Sequence, residues 1–286
     1  MNAGPVLVTG ALGNAGAATA AALLAAGLKV RAADLDTEAC ARKFPAADAV
    51  RLDFLDSATF RPALRGCQGL FLLRPPPIAR VKHTVNRLID VAVEAGVHHV
   101  VFSSVQGADT NRIVPHHRIE EHLKASGLPW TMLRPGFFAQ NLTGAYRLDI
   151  RDDHRLYVPA GRGRVAFIDV TDLGEVAARV FADPAPHQAR GYTLTGPHAI
   201  TFDQVAEMLT AALGHPVRYQ PATTVGYIRH LRRRRLPMPQ IAVQTVLHLG
   251  LRRGDAEMVD PNVERLLGRP ATPLKTFIQR NLSCWS

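Results

Sequence analysis

Residues Thr9-Gly10-Ala11-Leu12-Gly13-Asn14-Ala15-Gly16 constrain the fold more than any other stretch of this chain. They follow a short β-branched run, Pro5 to Thr9 (PVLVT), and lead into Ala15 to Ala26, where alanine and leucine, the strongest helix formers, dominate. The order is strand, glycine turn, helix. A helix start offers free N–H groups and the positive end of its dipole, so an anion can sit there if no Cβ blocks the approach. A third glycine lets the helix pack tightly on the strand. The spacing is GxxGxxG, with Ala11 in the middle slot of the commoner GxGxxG fingerprint. Thr9, Gly10, Leu12, Gly13, Asn14, Ala15 and Gly16 are therefore candidate contacts for a dinucleotide pyrophosphate, with a purely structural turn as the alternative.

Further strands are expected at Lys29 to Asp34, Ala49 to Asp53, Leu70 to Leu73, His99 to Phe102 and Trp130 to Leu133. Helical patterns fall between them at Thr37 to Lys43, Ser57 to Leu64, Ala79 to Ala95 and Arg118 to Ala125. Gly27, Gly66, Gly96 and Gly127 stand where left-handed helix caps belong. Alternating strands and helices imply an α/β fold, a doubly wound parallel sheet of Rossmann type with ligands at the carboxyl ends of its strands. Beyond Pro135, glycines and prolines cut the sequence into short pieces. Only Val165 to Phe181 (strand, then helix) and Thr201 to Leu213 (amphipathic helix) stay regular there. The expected organisation is a cofactor-binding domain at 1–155 and a smaller α+β domain at 156–286 over the ligand cleft, with 164–183 returning to the first.

Composition narrows the functional classes. A 47% hydrophobic, 20% charged chain of 286 residues has material for a sizeable core. It has no apolar run of the ~18 residues a membrane span needs, so no membrane association is expected. Ala15 to Leu28 lacks a basic segment before it, which argues against a secretory signal. Cys40, Cys67 and Cys284 are scattered without ligand spacing, so neither disulfides nor a metal site is expected and a cytoplasmic setting fits. The net charge of +10 is spread out: residues 1–150 carry 16 basic and 12 acidic groups, and residues 151–286 carry 18 and 12. The one basic run, Arg232 to Arg235, lacks interleaved aromatics and reads as a solvated face or an anion contact, so no nucleic-acid partner is expected.

Asp34, ending the second expected strand 18 residues after Gly16, can accept both ribose hydroxyls and repel a 2′-phosphate. It favours NAD(H) over NADP(H), although Arg31, Arg42 and Lys43 lie close enough in sequence to neutralise a phosphate, and capping of the next helix is the alternative role. Asp53 and Phe54 are expected beside the adenine, and Leu73 and Arg74 beneath the middle of the cofactor.

Four blocks, TGALGNAG at the start, LDFLD at 52–56, VVFSSVQGAD at 100–109 and above all HHRIEEHLKASGLPWTMLRPGFFAQNL at 116–142, resemble the NmrA-like group of atypical short-chain dehydrogenases/reductases. The likeness continues through IDVTDLGEVAARVF at 168–181 and LLGRPATPLKTFIQRN at 266–281. It implies a Rossmann domain with a small C-terminal domain forming a cleft over the nicotinamide. It also implies either an NAD(P)H-dependent reductase of quinones and other conjugated compounds or a regulator that binds the dinucleotide without turning it over.

The departure from the wider superfamily is informative. In its Tyr-x-x-x-Lys pair, tyrosine protonates a carbonyl oxygen and lysine lowers the tyrosine pKa. Counting back from Glu120, His116 fills the lysine slot and Arg112 the tyrosine slot, and the first tyrosine in the chain is Tyr146. A conjugated acceptor delocalises the incoming charge and needs no such acid, so positioning carries more of the chemistry.

Candidate catalytic residues are His116, to orient the ribose or relay a proton, and Ser103 and Ser104, to hydrogen-bond nicotinamide or substrate. A solvated helix-start role for His116 and capping roles for the serines are the alternatives. Phe137, Phe138 and Asn141 are candidate cleft residues for a planar ring, or the two phenylalanines fill a seam between domains. Asp169 and Asp172 read as helix caps rather than metal ligands. The expected activity is hydride transfer from NADH or NADPH to an aromatic or conjugated small molecule, in a chain for which a homodimer is an open expectation. A dinucleotide-sensing regulator with a protein partner is the alternative, and a redox-neutral isomerase or cyclase is a third reading.

Overall fold

The computed structural model describes residues 4–76 and 78–286. In chain order the first elements are β1 (Val6–Thr9), α1 (Asn14–Ala25), β2 (Val30–Asp34), α2 (Thr37–Lys43), β3 (Asp48–Arg51), α3 (Phe60–Leu64), β4 (Gly69–Leu73), α4 (Val85–Glu94), β5 (His99–Ser103), α5 (Pro115–Ala125) and β6 (Trp130–Pro135). Then come α6 (Arg147–Arg151), β7 (Arg155–Leu156), β8 (Arg164–Val165), α7 (Val170–Ala182), β9 (Arg190–Leu194), β10 (Ile200–Thr201), α8 (Phe202–Leu213), β11 (Arg218–Tyr219), α9 (Thr224–Arg233), α10 (Met238–Arg252), α11 (Asn262–Leu267) and α12 (Leu274–Arg280).

Two compact units result. The first takes residues up to Pro135, Val170–Leu194 and Asn262–Arg269. Its seven-stranded sheet has the order β3-β2-β1-β4-β5-β6-β9, with every neighbouring pair parallel. Leu7, Val8, Leu70, Phe71, Leu72, Val100, Val101 and Phe102 are fully buried, as strands covered on both faces require. On one face α1 meets α7 so closely that a Cβ on Gly174 would lie 2.5 Å from the Ala18 carbonyl oxygen. On the other, Phe60, Leu64, Leu88, Ile89, Ile119 and Leu123 from α3, α4 and α5 form a continuous core. The doubly wound architecture expected from the sequence is therefore present, and Gly27, Gly66, Gly96 and Gly127 take the left-handed cap conformation, with φ of +75°, +71°, +72° and +80°.

Some boundaries differ from expectation for identifiable reasons. Helix α4 begins at Val85, and residues 79–84 are coil and turn. Helix α5 begins three residues earlier than its apolar pattern, because Pro115 at the first helical position needs no N–H partner. The seventh strand, β9, was hidden among glycines and prolines and pairs with β6 from Thr131↔Arg190 to Pro135↔Leu194.

The second unit takes Gly136–Asp169, Thr195–Pro261 and Pro270–Ser286. Its core gathers Phe137, Tyr146, Ile150, Phe167, Phe202, Leu209, Tyr227, Leu251 and Trp285. Short pairs β7/β11 (parallel) and β8/β10 (antiparallel) brace it, and α8 carries a reciprocal capping box between Thr201 and Gln204. The break in the chain's packing falls after Pro135, where a division at 155/156 was expected, because Phe137, Tyr146 and Ile150 belong to this second core. The segment returning to the first unit is Val170–Leu194 rather than 164–183. Among the described residues no helix is long and apolar enough to cross a membrane.

Candidate cofactor site

The glycine turn between β1 and α1 divides into structural and approach positions. Gly10 has φ +61°, and a Cβ there would lie 2.9 Å from Leu73 Cδ1. A Cβ on Gly16 would lie 2.1 Å from the Gly10 carbonyl oxygen. Both glycines are demanded by the fold itself. Gly13 is not: its φ of −77° suits any residue, and the nearest atom to an added Cβ is 3.4 Å away. Gly13 is also the N-cap of α1, which has no side-chain cap bond and no acidic residue in its first turn. The Gly13 N–H donates to the Gly10 carbonyl (3.0 Å), and an uncapped helix start behind a glycine whose side chain internal packing does not exclude fits an anionic group resting on the N–H groups of Asn14 and Ala15.

Thr9 and Leu12 have other duties. The buried Thr9 hydroxyl donates to the Phe71 carbonyl (3.2 Å) and accepts from Leu73 N–H (3.0 Å), clamping β1 to β4, so its side chain is committed to the sheet. The Leu12 N–H donates to Asp34 Oδ2 (3.0 Å) and is therefore not free for a phosphate. Asp34 Oδ1 accepts from Leu35 N–H (2.8 Å). The helix-cap alternative for Asp34 is excluded, because Asp36 caps α2 through Ala39 N–H (2.8 Å). Of the neighbouring cations, Arg31 is bound to the carbonyls of Ala63 and Arg65 and lies 3.6 Å from Asp48, so it is tied down elsewhere. Sequence reasoning passed over Arg51, which pairs in register with Asp34 and contacts the Leu35 carbonyl (3.4 Å) and Asp53 (3.5 Å). A register match between adjacent strands is the signal that would have found it.

Asp53 organises its own turn, accepting from Leu55 N–H (2.9 Å), while the Phe54 ring is buried edge-on to Phe60 at 6.4 Å. That ring is 7% exposed and packs in the core of the first unit, which leaves little of its face open to an adenine. Leu73 backs Gly10. Arg74 holds the loop that follows β4, donating to the carbonyls of Pro75, Pro76 and Ile78 (3.1, 3.0 and 2.7 Å), and its Nε faces His116 Nε2 at 3.4 Å.

His116 is stacked on Phe102 at 6.1 Å, and burial together with the Arg74 charge lowers its pKa to about 3. The half-buried ring is not the solvated helix-start histidine of the alternative; it is neutral at pH 7 and serves as a hydrogen-bonding group. Nε2 faces a donor, so Nδ1 carries the proton.

Ser103 ends β5 nearly buried, at 8% exposure, beside Leu73 and Leu133 in register. Ser104 is committed to structure: its hydroxyl donates to Glu120 Oε1 (2.6 Å). Glu120, fully buried on α5, also holds Arg134 in a two-point pair (Nε–Oε1 3.0 Å, Nη2–Oε2 2.7 Å), and Arg134 reaches Asp109 (3.0 Å). Gly191 on β9 makes room for this guanidinium, since a Cβ there would lie 2.8 Å from Arg134 Nη1. The expected roles of Ser104 as substrate ligand or cap are both replaced by this network.

In the second unit Phe137 is 5% exposed, edge-on to Phe167 (5.6 Å) and His248 (6.1 Å). It fills that unit's own core and offers no stacking face. Phe138 is half-buried, bridged to Ile168, and Asn141 ends the following short turn, also half-buried. Asp169 accepts from Gln140 (2.8 Å), and the buried Asp172 accepts from Arg269 (2.8 Å). Among the described residues no cluster of three ligating side chains suited to a metal occurs. Within the basic run, Arg234 is paired with Asp149 (2.8 Å), while Arg232, Arg233 and Arg235 are exposed.

The profile of the NmrA-like family matches residues 2–281. The chain belongs to the NmrA-like family. Within that family setting, the uncharacterized oxidoreductase YesF of Bacillus subtilis strain 168 is 27% identical over 290 residues, covering 100% of this chain and 98% of its own. A (4-alkanoyl-5-oxo-2,5-dihydrofuran-3-yl)methyl phosphate reductase of Streptomyces griseus is 30% identical, covering 95% and 96%. Quinone oxidoreductase 2 of Escherichia coli K12 is 27% identical, covering 78% of each chain. Two solved structures share the fold. The NADPH complex of Escherichia coli QOR2 has TM-score 0.86 and 24% identity, covering 97% of this chain and 99% of its own. NmrA, a negative transcriptional regulator, in complex with NAD has TM-score 0.80 and 16% identity, covering 99% and 96%. The NmrA-like fold thus carries both reductases and a regulator.

Proposed function

We propose that this protein is an NAD(P)H-dependent reductase that passes hydride to a planar conjugated acceptor such as a quinone. The observation that carries the reading is the uncapped start of α1 behind Gly13, a glycine no internal contact requires. Relatives named as oxidoreductases along nearly the whole chain support it. Asn14 and Ala15 present backbone N–H groups to the pyrophosphate, and Gly13, without a side chain, leaves the approach open. Asp34 accepts from the ribose, and neutral His116 and Ser103 hydrogen-bond near the nicotinamide. Phe138 and Asn141, the expected substrate contacts, keep side-chain surface uncovered within the second unit. The bound dinucleotide supplies the hydride. With no tyrosine acid and a neutral imidazole, the proton reaches the product from water, which suits acceptors whose charge is delocalised.

The direct test is oxidation of NADH and NADPH, followed by absorbance, across a panel of quinones, azo dyes and enones. Turnover with at least one class is expected. Tight dinucleotide binding with no turnover anywhere would favour the regulator reading instead.

Gly13→Asp should leave the thermal melt within a few degrees of wild type yet weaken dinucleotide binding by on the order of 100-fold, about 2.7 kcal/mol, because it places a carboxylate where the diphosphate would rest. Unaltered affinity in fluorescence titration would refute the assigned turn.

Cofactor choice is tested at the β2–β3 edge. Asp34 favours NADH, and Arg51 is the cation placed beside it. Asp34→Asn should narrow the NADH preference, and Arg51→Ala should weaken NADPH more than NADH. Parallel titrations showing equal losses for both cofactors would count against the assignment.

A further inference from the structure

A basic concavity built wholly from the second unit takes no part in the proposed cofactor chemistry. A cavity of about 550 Å³ is lined by Gly161, Arg162, Gly163 and Arg164 from the turn before and into β8, and by Arg252, Arg253, Gly254 and Glu257 from the end of α10 and the turn beyond. The local sequence forces these arginines together. A Cβ on Gly163 would lie 2.0 Å from the Leu251 carbonyl oxygen, so the glycine turn docks directly on the last turn of α10. Gly161 (φ +56°) and Gly254 (φ +89°) turn the two segments tightly at the rim.

The charges in this hollow are not balanced. Arg164 lies 3.6 Å from Glu257 and donates to the Ala199 carbonyl (2.5 Å), and Arg253 lies 3.2 Å from Asp255. Arg162 and Arg252 have no carboxylate partner among the described residues. Four guanidinium groups against Glu257 and Asp255 leave a local charge of +2. Like charges gathered in a concavity repel one another and raise the local concentration of anions. Guanidinium forks match the oxygens of phosphate in paired hydrogen bonds.

We propose that this arginine-walled cavity binds a phosphate monoester dianion. The charge matches, the donors converge from two chain segments, and the glycines keep side chains from screening them. The phosphate can belong to a soluble ester or to a lipid headgroup. A lipid headgroup is one of the two sources because Val243 and Val246 lie exposed on α10, the helix whose last turn brings Arg252 to the cavity.

The experiment is calorimetric titration at constant ionic strength with inorganic phosphate and with glycerol phosphate. Four proteins are compared: wild type, Arg162→Ala/Arg252→Ala, Arg162→Lys/Arg252→Lys and Gly13→Asp. The exposed arginines have no ion-pair role in the fold, so circular dichroism and melting should match wild type. The alanine pair is expected to bind phosphate roughly tenfold more weakly while keeping its dinucleotide affinity, with the lysine pair between it and wild type. Gly13→Asp should bind phosphate as wild type does.

Co-sedimentation with phosphatidylcholine vesicles, with and without phosphatidic acid, separates the sources. Capture that needs phosphatidic acid and is lost in the alanine pair assigns a lipid headgroup. Soluble binding without capture assigns a free ester. Phosphate binding that is absent, equal in wild type and the alanine pair, or lost only in Gly13→Asp overturns the proposal.

Discussion

Acidification from pH 7 to pH 4 is expected to unfold this protein. His99 and His248 are 4% and 2% exposed, and burial lowers the pKa of each to about 4; His116 is lowered further, to about 3. The hydrogen bonds explain why these rings resist a second proton. Thr131 donates its hydroxyl to the His187 carbonyl (2.7 Å), so it accepts from His99 Nε2 (2.9 Å), and His99 Nδ1 is left as a buried lone pair without a partner. His248 donates from Nδ1 to the Gln244 carbonyl (2.6 Å), so its Nε2 accepts from the Tyr146 hydroxyl.

In the unfolded chain these rings charge as pH falls through ~6.5, whereas in the folded chain they stay neutral down to about 4 or 3. The unfolded state therefore binds more protons across that window, and stability falls as pH drops from 6.5 toward 4. At about 1.4 kcal/mol per unit, His99 and His248 each cost about 3 kcal/mol by pH 4, a large share of a typical 5–15 kcal/mol. Urea melts at pH 7, 5.5 and 4 should show the midpoint falling steeply, and His99→Gln should shallow the fall. Equal midpoints at all three pH values would contradict the account.

Glu120→Ala should cost about 3–5 kcal/mol, because it strips a mostly buried guanidinium of its paired acceptor and leaves the Ser104 hydroxyl without its own. Glu120→Gln should fall between, since it keeps one acceptor oxygen and loses the charge. Denaturant titration reads both, and a loss under about 1 kcal/mol would place Glu120 with solvated pairs such as Arg42–Glu38, whose partners are 70% and 87% exposed. The same variants should loosen the carboxyl ends of β5 and β6, which the network ties to α5.

What the sequence disclosed and what it concealed follow from the range of the interactions concerned. Six strands and the glycine turn were legible because each is written in consecutive residues: Val6 to Thr9, Gly10 to Gly16, and the cap glycines after each helix. Strand β9 was not, because Gly191 reads as a breaker until the guanidinium of Arg134, far away in sequence, is seen to require the missing Cβ. Ser104 looked free for a ligand because Glu120, its acceptor, lies 16 residues on. Phe137 looked like a stacking surface because adjacent phenylalanines do not say which of them turns inward. His116 looked like a titrating group because nothing local announces Arg74 and Phe102 around it. Asp34 was placed correctly at the strand end, and its hold on Leu12 needed the turn's path through space.

The close seating of α7 against α1, with Gly174 over Ala18, bears on synthesis at the ribosome. The glycine turn is made long before α7, yet the inner face of the helix behind it stays uncovered until Val170–Ala182 has been made, and the open edge of β6 stays unpaired until Leu194 follows. A nascent chain stalled short of that point exposes both an apolar helix face and a bare strand edge, which makes it a client for chaperones well before it can bind a nucleotide.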